Sequence, residues 1–264
     1  MVSLITPTQG NPIALKRTMD SLVDVCDEFI VGDVCVFDED REIIESYKND
    51  YNLKTVRLPF DFIFKHGFSE TLNTLALATS NNLVLYLNVG EIVAPDAAKV
   101  LAQISDDYNA YYIDHATERH RWWRFYNKKE LRWDGLIHEE LIGEYRPYHQ
   151  PIFRFADTDK DMVNPFKAKV YNSIKECVYW RQLMRLVDEP EVKASTNEGW
   201  IAFANNTYQS MKDRLDAKGD GYLAFINGDF DMFVRYITDN PEFEKERYES
   251  SIAIEYQGNK LFLL

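Results

Sequence analysis

Along the first hundred residues the apolar positions switch repeatedly between strand-like runs and helix-like spacing. VSLITPT (residues 2–8) is a continuous, mostly apolar run closed by a turn with Gly10, Asn11 and Pro12, which predicts a buried strand. PIALKRTMDSLVDVC (12–26) then places apolar residues at helical spacing behind a proline at the first turn. EFIVGDVCVFD (28–38) predicts a second strand region, REIIESYKNDY (41–51) a helix with a polar face, and LKTVRLPF (53–60) a third strand. GFSETLNTLALAT (67–79) returns to helical spacing, and NLVLYLN (82–88) predicts a fourth strand. Strands and helices alternating at this interval imply a mostly parallel sheet with right-handed crossovers, an α/β fold of Rossmann-like type.

Beyond Glu91 the pattern changes. PDAAKVLAQIS (95–105) predicts a helix. YNAYYIDHATE, RWWRFYN and LRWDGLIHEEL follow as aromatic-rich strands, with NKKE (127–130) as a hairpin turn. From about residue 165 three helical patterns dominate, after a polar, proline-ended joint near 155–165. The expected organisation is therefore an α/β domain over 1–160 and a mainly helical region over 161–264, serving acceptor binding or oligomerisation.

Composition narrows the function classes. The chain is 45% hydrophobic and 14% aromatic, enough for a packed core and unlike a disordered sequence. No apolar run reaches the roughly 18–20 residues that span a bilayer, so no membrane span is expected. The opening MVSLITPTQGNP lacks a basic segment followed by a long apolar one, so a cytoplasmic protein is expected. Three cysteines (Cys26, Cys35, Cys177) without CxxC spacing indicate neither a disulfide framework nor a zinc site. A net charge of −13 argues against general binding to phosphate backbones. It leaves room for one local cationic site, and residues 119–132, RHRWWRFYNKKELR, supply it with six Lys/Arg against Glu130.

Four pieces in order carry a resemblance. VSLITPTQGNPIALKRTMDSL, DEFIVGD, FSETLNTLALATSNNLVLYLNVGEIVAPD and RWWRFYNKKELRWDGLIHEEL resemble successive motifs of the family-2 glycosyltransferases, over about residues 2–142. The C-terminal third matches only loosely. The resemblance implies a GT-A type fold and an inverting transfer of a hexose or pentose from a nucleotide sugar, a UDP-sugar foremost, to an acceptor hydroxyl. The acceptor is left open among saccharide, protein and modified nucleic acid, and a homo-oligomer is equally open.

Such a transfer needs charge stabilisation at the leaving diphosphate, from a divalent cation or basic side chains, and a carboxylate base at the attacking hydroxyl. By the resemblance Thr6, Pro7, Thr8 and Asp33 meet the base and ribose, with Asn73 on the helix before the fourth strand. Each has a plainer alternative: a capped turn for Thr6–Thr8, turn chemistry with Asp38 and Asp40 as rivals for Asp33, a locally bonded amide for Asn73. The family's turn after the fourth strand carries two aspartates one residue apart. Here Asn88 and Gly90 stand in those places and Glu91 is the remaining acid. Two readings follow: a weak Mn²⁺ or Mg²⁺ site through Glu91 and His138, or a metal-free site that uses cations. Arg124, Arg121 and Lys128 are the cationic candidates, because arginine pairs bidentately with phosphate. In the WDGLIHEE segment Glu139 is the first candidate for the base, with Asp134 its competitor. Trp122, Trp123 and Trp133 either stack on a ligand or pack the core. Two further classes stay open. One is a glycosyltransferase-like nucleotide-binding protein without catalysis, suggested by Asn88 and Gly90. The other is a transferase acting on modified nucleic-acid bases, suggested only by the basic aromatic stripe.

Overall fold

A computed structural model describes residues 1–8, 10–34, 38–58, 60–93, 104–115, 121–135, 139–157, 178, 181–189, 202, 252–256 and 259–263. By its contacts the chain divides into two compact units. The first comprises Met1–Leu58, Ser69–Asp134 and Glu140–Val163, the second Pro59–Phe68, Gly135–Glu139 and Asn164–Leu264.

The first unit is built on strands β1 (Val2–Thr8), β2 (Glu28–Val34), β3 (Leu53–Leu58), β4 (Leu83–Tyr86), β5 (Glu91–Val93), β6 (Ala110–His115), β7 (Arg121–Asn127) and β10 (Pro147–Asp157). They form one sheet in the order β3-β2-β1-β4-β7-β6-β10-β5. The quartet β3-β2-β1-β4 is parallel throughout, as the alternating pattern predicts. The rest is mixed. β7 lies antiparallel to β4 and to β6, β10 is parallel to β6, and β5 is antiparallel to β10. The expectation of a mostly parallel sheet is thus corrected to a mixed one, because β7 enters the edge of β4 reversed. NKKE does turn the chain, with the Glu130 N–H donating to the Asn127 carbonyl at 3.1 Å. It does not close a hairpin of the central sheet: β8 (Leu131–Asp134) pairs instead with β9 (Glu140–Gly143) in a separate ribbon.

Local chemistry explains the elements. Asn11, in the left-handed region at φ 65°, caps α1 (Pro12–Asp20) by accepting the Ala14 N–H at 3.1 Å, and Pro12 fills the first turn. Leu15 and Met19, four apart, bury the inner stripe of α1 against Leu4, Phe29 and Val31. Ile44 of α2 (Asp38–Ser46) joins the same core, so α1 and α2 cover one face of the quartet. β1 and β2 are buried almost end to end, as strands covered on both faces are. The opposite face carries α3 (Phe60–Ala78), whose Leu75 approaches so closely that a Cβ on Gly32 would lie 2.9 Å from its Cδ1. α3 is longer than its sequence pattern predicts and is interrupted at Gly67 (φ 78°, ψ −174°), next to the boundary between the units.

At the amino edge of the quartet a second feature organises the loops. The buried Glu28 carboxylate accepts from Ser3 Oγ at 2.7 Å, from the Ser80 N–H and Oγ at 2.7 and 2.9 Å, and from Lys54 Nζ at 2.5 Å. Burial alone would raise its pKa; these donors outweigh it and hold the carboxyl at about 2.

In the second unit residues 181–188 are helical, with Gln182, Leu183 and Leu186 buried, and Arg185 pairs with Glu189 at 3.0 Å. Strands β11 (Ile252–Tyr256) and β12 (Asn259–Leu263) form an antiparallel hairpin. The helix expected over 95–105 lies outside the described residues apart from Ile104 and Ser105, which are not helical, and of the later helical patterns beyond residue 189 the described residues include Ala202, which is helical. Among the described residues no helix is long and apolar enough to cross a membrane. Cys26 is a buried free thiol.

Candidate functional site at the carboxyl edge

The ends of β1, β2 and β4 stand at one edge of the parallel quartet. Register sets Thr8 beside Asp33, and Asp33 beside Arg57. The Leu87 N–H donates to the Ile5 carbonyl at 3.3 Å, which carries the β1–β4 register forward and brings Asn88 level with Pro7. Side chains alternate along each strand, so Thr6, Thr8 and Asp33 belong to the face covered by α1 and α2, while Tyr86 belongs to the face of α3.

Thr8 Oγ1 donates to the Gly10 carbonyl at 2.8 Å and accepts the Gly10 N–H at 3.2 Å, tightening the loop that opens α1. Thr6 is fully buried, and its Oγ1 has no hydrogen-bond partner among the described residues. Pro7 is half-buried. Asp33 is buried, and its Oδ2 accepts from Arg41 Nε at 2.6 Å. Arg41 lies on α2 within the charge run DEDRE, where sequence gave no reason to single it out. Of the rivals, Asp40 is also buried, and the side chain of Asp38 lies outside the described residues.

The turn after β4 is the most constrained part of the edge. Glu91 is 6% exposed, and both carboxylate oxygens are engaged. Oε1 accepts from Asn88 Nδ2 at 3.0 Å and from Arg124 Nη1 at 2.9 Å; Oε2 accepts from the Asn88 N–H at 2.7 Å and from the same Nη1 at 2.7 Å. Asn88 Oδ1 accepts from the Tyr86 hydroxyl at 2.7 Å. The Arg124 guanidinium lies 5.0 Å from the Tyr86 ring centre and 5.4 Å from that of Phe155, within cation–π range. Gly90, at φ 91°, takes a conformation that disfavours any side chain, and its N–H donates to Thr18 Oγ1 of α1 at 3.0 Å. The Val93 N–H donates to Ser21 Oγ at 3.2 Å. Tyr86, Thr18 and Ser21 went unnoticed in the sequence, since nothing in their own segments points toward residue 90.

The remaining candidates separate. Asn73 of α3 donates through Nδ2 to the Trp133 carbonyl at 2.9 Å and accepts the Trp133 N–H at 2.9 Å. Its amide is thereby committed to the backbone of β8, sixty residues away in sequence, a long-range pairing that neither the ligand contact nor the locally bonded alternative describes. Lys128 Nζ donates to the carbonyls of Ala76 and Thr79 at 3.0 and 2.6 Å and to Thr79 Oγ1 at 2.7 Å, closing the carboxyl end of α3. Burial lowers its pKa. Trp133 is buried and donates from Nε1 to the Tyr126 hydroxyl at 2.9 Å, whose pKa burial pushes up. Trp123 is half-buried and stacks on Tyr112. Arg121 opens β7, but its side chain and that of Trp122 lie outside the described residues. Asp134 is exposed at the end of β8, opposite Glu140 in register. Glu139 is half-buried and belongs to the second unit. His138 lies outside the described residues.

A divalent cation does not fit Glu91 as the turn stands. A carboxylate offers about four lone-pair positions, and four N–H contacts occupy them. Asn88 Oδ1 is turned to a hydroxyl donor, and Gly90 has no side chain. No group of three or more His, Cys, Asp or Glu suited to a metal occurs among the described residues.

No protein-family model matches the chain, and no curated protein matches it. Among solved structures it is similar to Staphylococcus aureus TarS 1–349, at 12% identity and a TM-score of 0.44, with 100% of this chain and 98% of that one covered. The complex of the same protein with UDP-GlcNAc gives 12% identity and a TM-score of 0.45, over 99% of this chain and 98% of that one. Against a longer TarS structure the chain spans 40% of that protein's length. Glucosyl-3-phosphoglycerate synthase from Mycobacterium tuberculosis, in complex with Mn²⁺, UDP and phosphoglyceric acid, gives 18% identity and a TM-score of 0.33, over 45% of this chain and 44% of that one.

Proposed function

We propose that this chain is a glycosyltransferase that moves a sugar from a nucleotide sugar, a UDP-sugar foremost, to an acceptor hydroxyl with inversion. The observation that carries the reading is the convergence of the β1, β2 and β4 ends at one carboxyl edge, where ligands of open α/β sheets bind. Thr8 and Asp33 stand side by side there, and the 88–91 turn follows β4 on the other side of β1.

In this reading Asp33 accepts from the base or the ribose hydroxyls, oriented by Arg41. Pro7 and the Thr8 loop border the base, and the 88–91 turn, held from within by the Asn88 bonds to Glu91 and the Gly90 bond to Thr18, walls the donor site on the β4 side. The leaving diphosphate is met by the cationic stripe of β7, with Arg121 as the phosphate contact. Glu139 removes the proton of the attacking hydroxyl, and Asp134 is its competitor. A single in-line displacement then inverts the sugar. His138 is proposed as a diphosphate contact.

The test is incubation of the purified chain with a panel of nucleotide sugars and mixed acceptors, reading nucleotide release and the anomeric configuration of the product. Glu139→Gln is expected to lower turnover at least a hundredfold while leaving UDP binding intact; Asp134→Asn with the larger loss would exchange the two roles. Absence of transfer, hydrolysis and thermal stabilisation with every donor overturns the reading. A second reading, a nucleotide-binding protein without transfer, is favoured by Asn88 and Gly90 standing where acids are expected. It predicts UDP binding with no turnover.

A further inference from the structure

Resting on the reading of this edge as the donor site, we infer that Arg124 is a built-in cation at the turn. It takes up Glu91 as a fixed internal partner, so that Glu91 plays no part in holding a divalent ion.

Three features of the turn support this. First, the carboxylate is saturated: Arg124 Nη1 bridges both oxygens at 2.9 and 2.7 Å, and Asn88 fills the remaining positions at 2.7 and 3.0 Å. A metal could reach an oxygen only by displacing one of these donors. It would then stand beside a buried guanidinium of like charge, in a setting where water does little to screen the repulsion. Second, the guanidinium is itself held in place. It is buried, lies near the rings of Tyr86 and Phe155, and comes from the interior of β7, so it does not swing aside as a surface lysine would. Third, the backbone is fixed by contacts that involve no ion. The Asn88 N–H is bonded to Glu91, the Gly90 N–H to Thr18 and the Val93 N–H to Ser21. A metal in such a turn would neutralise the acid and hold the loop; here Arg124, Asn88 and α1 do both. Arg124 is thus a positioning residue, acting on the donor edge through Glu91.

The test follows Mn²⁺ uptake by the full chain through the electron paramagnetic resonance of free Mn²⁺, with and without UDP. Glu91→Gln, which retains an oxygen for Arg124, is expected to give the wild-type curve within twofold. A loss of tenfold or more in Mn²⁺ affinity in Glu91→Gln overturns the inference. Arg124→Met, which uncovers the carboxylate, is expected to gain Mn²⁺ uptake that Glu91→Gln/Arg124→Met lacks. A folded Arg124→Met with the wild-type curve overturns the assignment to Arg124; if that variant does not fold, Glu91→Gln alone decides. Calorimetry with UDP in chelator separates the two levels. A chain that binds no UDP under any condition removes the glycosyl-transfer reading, while the Mn²⁺ curves still decide the role of Glu91.

Discussion

Two buried carboxylates mark opposite ends of the same parallel quartet, and their partners differ. Glu28, 2% exposed at the amino edge, is surrounded by two serine hydroxyls, one backbone N–H and the ammonium of Lys54, whose side chain is 48% exposed. Glu91, past the carboxyl end of β4, meets an asparagine and the guanidinium of Arg124, whose side chain is only 9% exposed. At the amino edge the charge is balanced from the solvent side, by a flexible stem that water also reaches. At the carboxyl edge both charges are inside, and neither is cheaply solvated if the other leaves. The first arrangement ties a loop to a strand. The second fixes a turn at the edge where a donor would lie.

This difference gives the largest expected effect. Arg124→Met strands a buried carboxylate and should lower stability by about 3–5 kcal/mol, read as a shift in the urea midpoint. Arg124→Met/Glu91→Gln, which removes both charges, should recover a large part of it. A loss below about 1 kcal/mol in the single variant would show that water reaches the pair, and the contrast between the edges would vanish.

A smaller effect belongs to Glu28. Glu28→Gln should cost about 1–3 kcal/mol at neutral pH, because Lys54 and Ser80 keep an acceptor but lose the charge. The pH dependence sharpens the comparison. The folded-state pKa of Glu28 is lowered to about 2, against about 4.3 for an unperturbed glutamate. Its contribution is therefore fully present above the unfolded value and is lost as pH falls toward the folded one. Wild-type protein should lose stability across that acid window, and Glu28→Gln should show a shallower loss there. Equal acid slopes in urea unfolding would place the depressed carboxylate elsewhere.

How much of this was legible in the sequence differs between the edges. Hydrophobic period fixed the β–α alternation as far as residue 88, and RWWRFYN coincides with β7. Period reports which side chains are buried, not which strand lies alongside. Hence the antiparallel entry of β7 beside β4, the pairing of β8 with β9 and the long strand β10 were not foreseen. β10 begins in PYHQP, whose polar and proline-rich start hides its later alternation. The same limit applies to the site. Asn88, Gly90 and Glu91 stand out as a polar turn after an apolar strand. That Glu91 would be satisfied from Arg124, thirty-three residues later, follows only from the β4–β7 register. Asn73 was singled out by its resemblance to a ligand contact, and its amide serves the backbone of β8.

The smallest effect concerns how α1 reads the turn. Thr18 Oγ1 donates to the Ala14 carbonyl at 3.2 Å, a bond within its own helix, and with its other face accepts the Gly90 N–H at 3.0 Å. Thr18→Val keeps the shape of the side chain and removes the acceptor, so the Gly90 N–H loses this bond at a cost of about 1 kcal/mol. Thr18→Ser keeps the acceptor and loses only a methyl group. The valine variant should therefore be less stable than the serine variant, although it is the closer match in volume, and should bind UDP more weakly if the turn borders the donor. The amino edge provides the control: Ser80→Ala removes the hydroxyl of an exposed serine that donates to the buried Glu28 carboxylate, and it should change stability without changing UDP affinity. Equal losses of UDP affinity in Thr18→Val and Ser80→Ala would mean that affinity follows global stability. A loss confined to Thr18→Val would mean that α1 holds the carboxyl edge in its binding geometry.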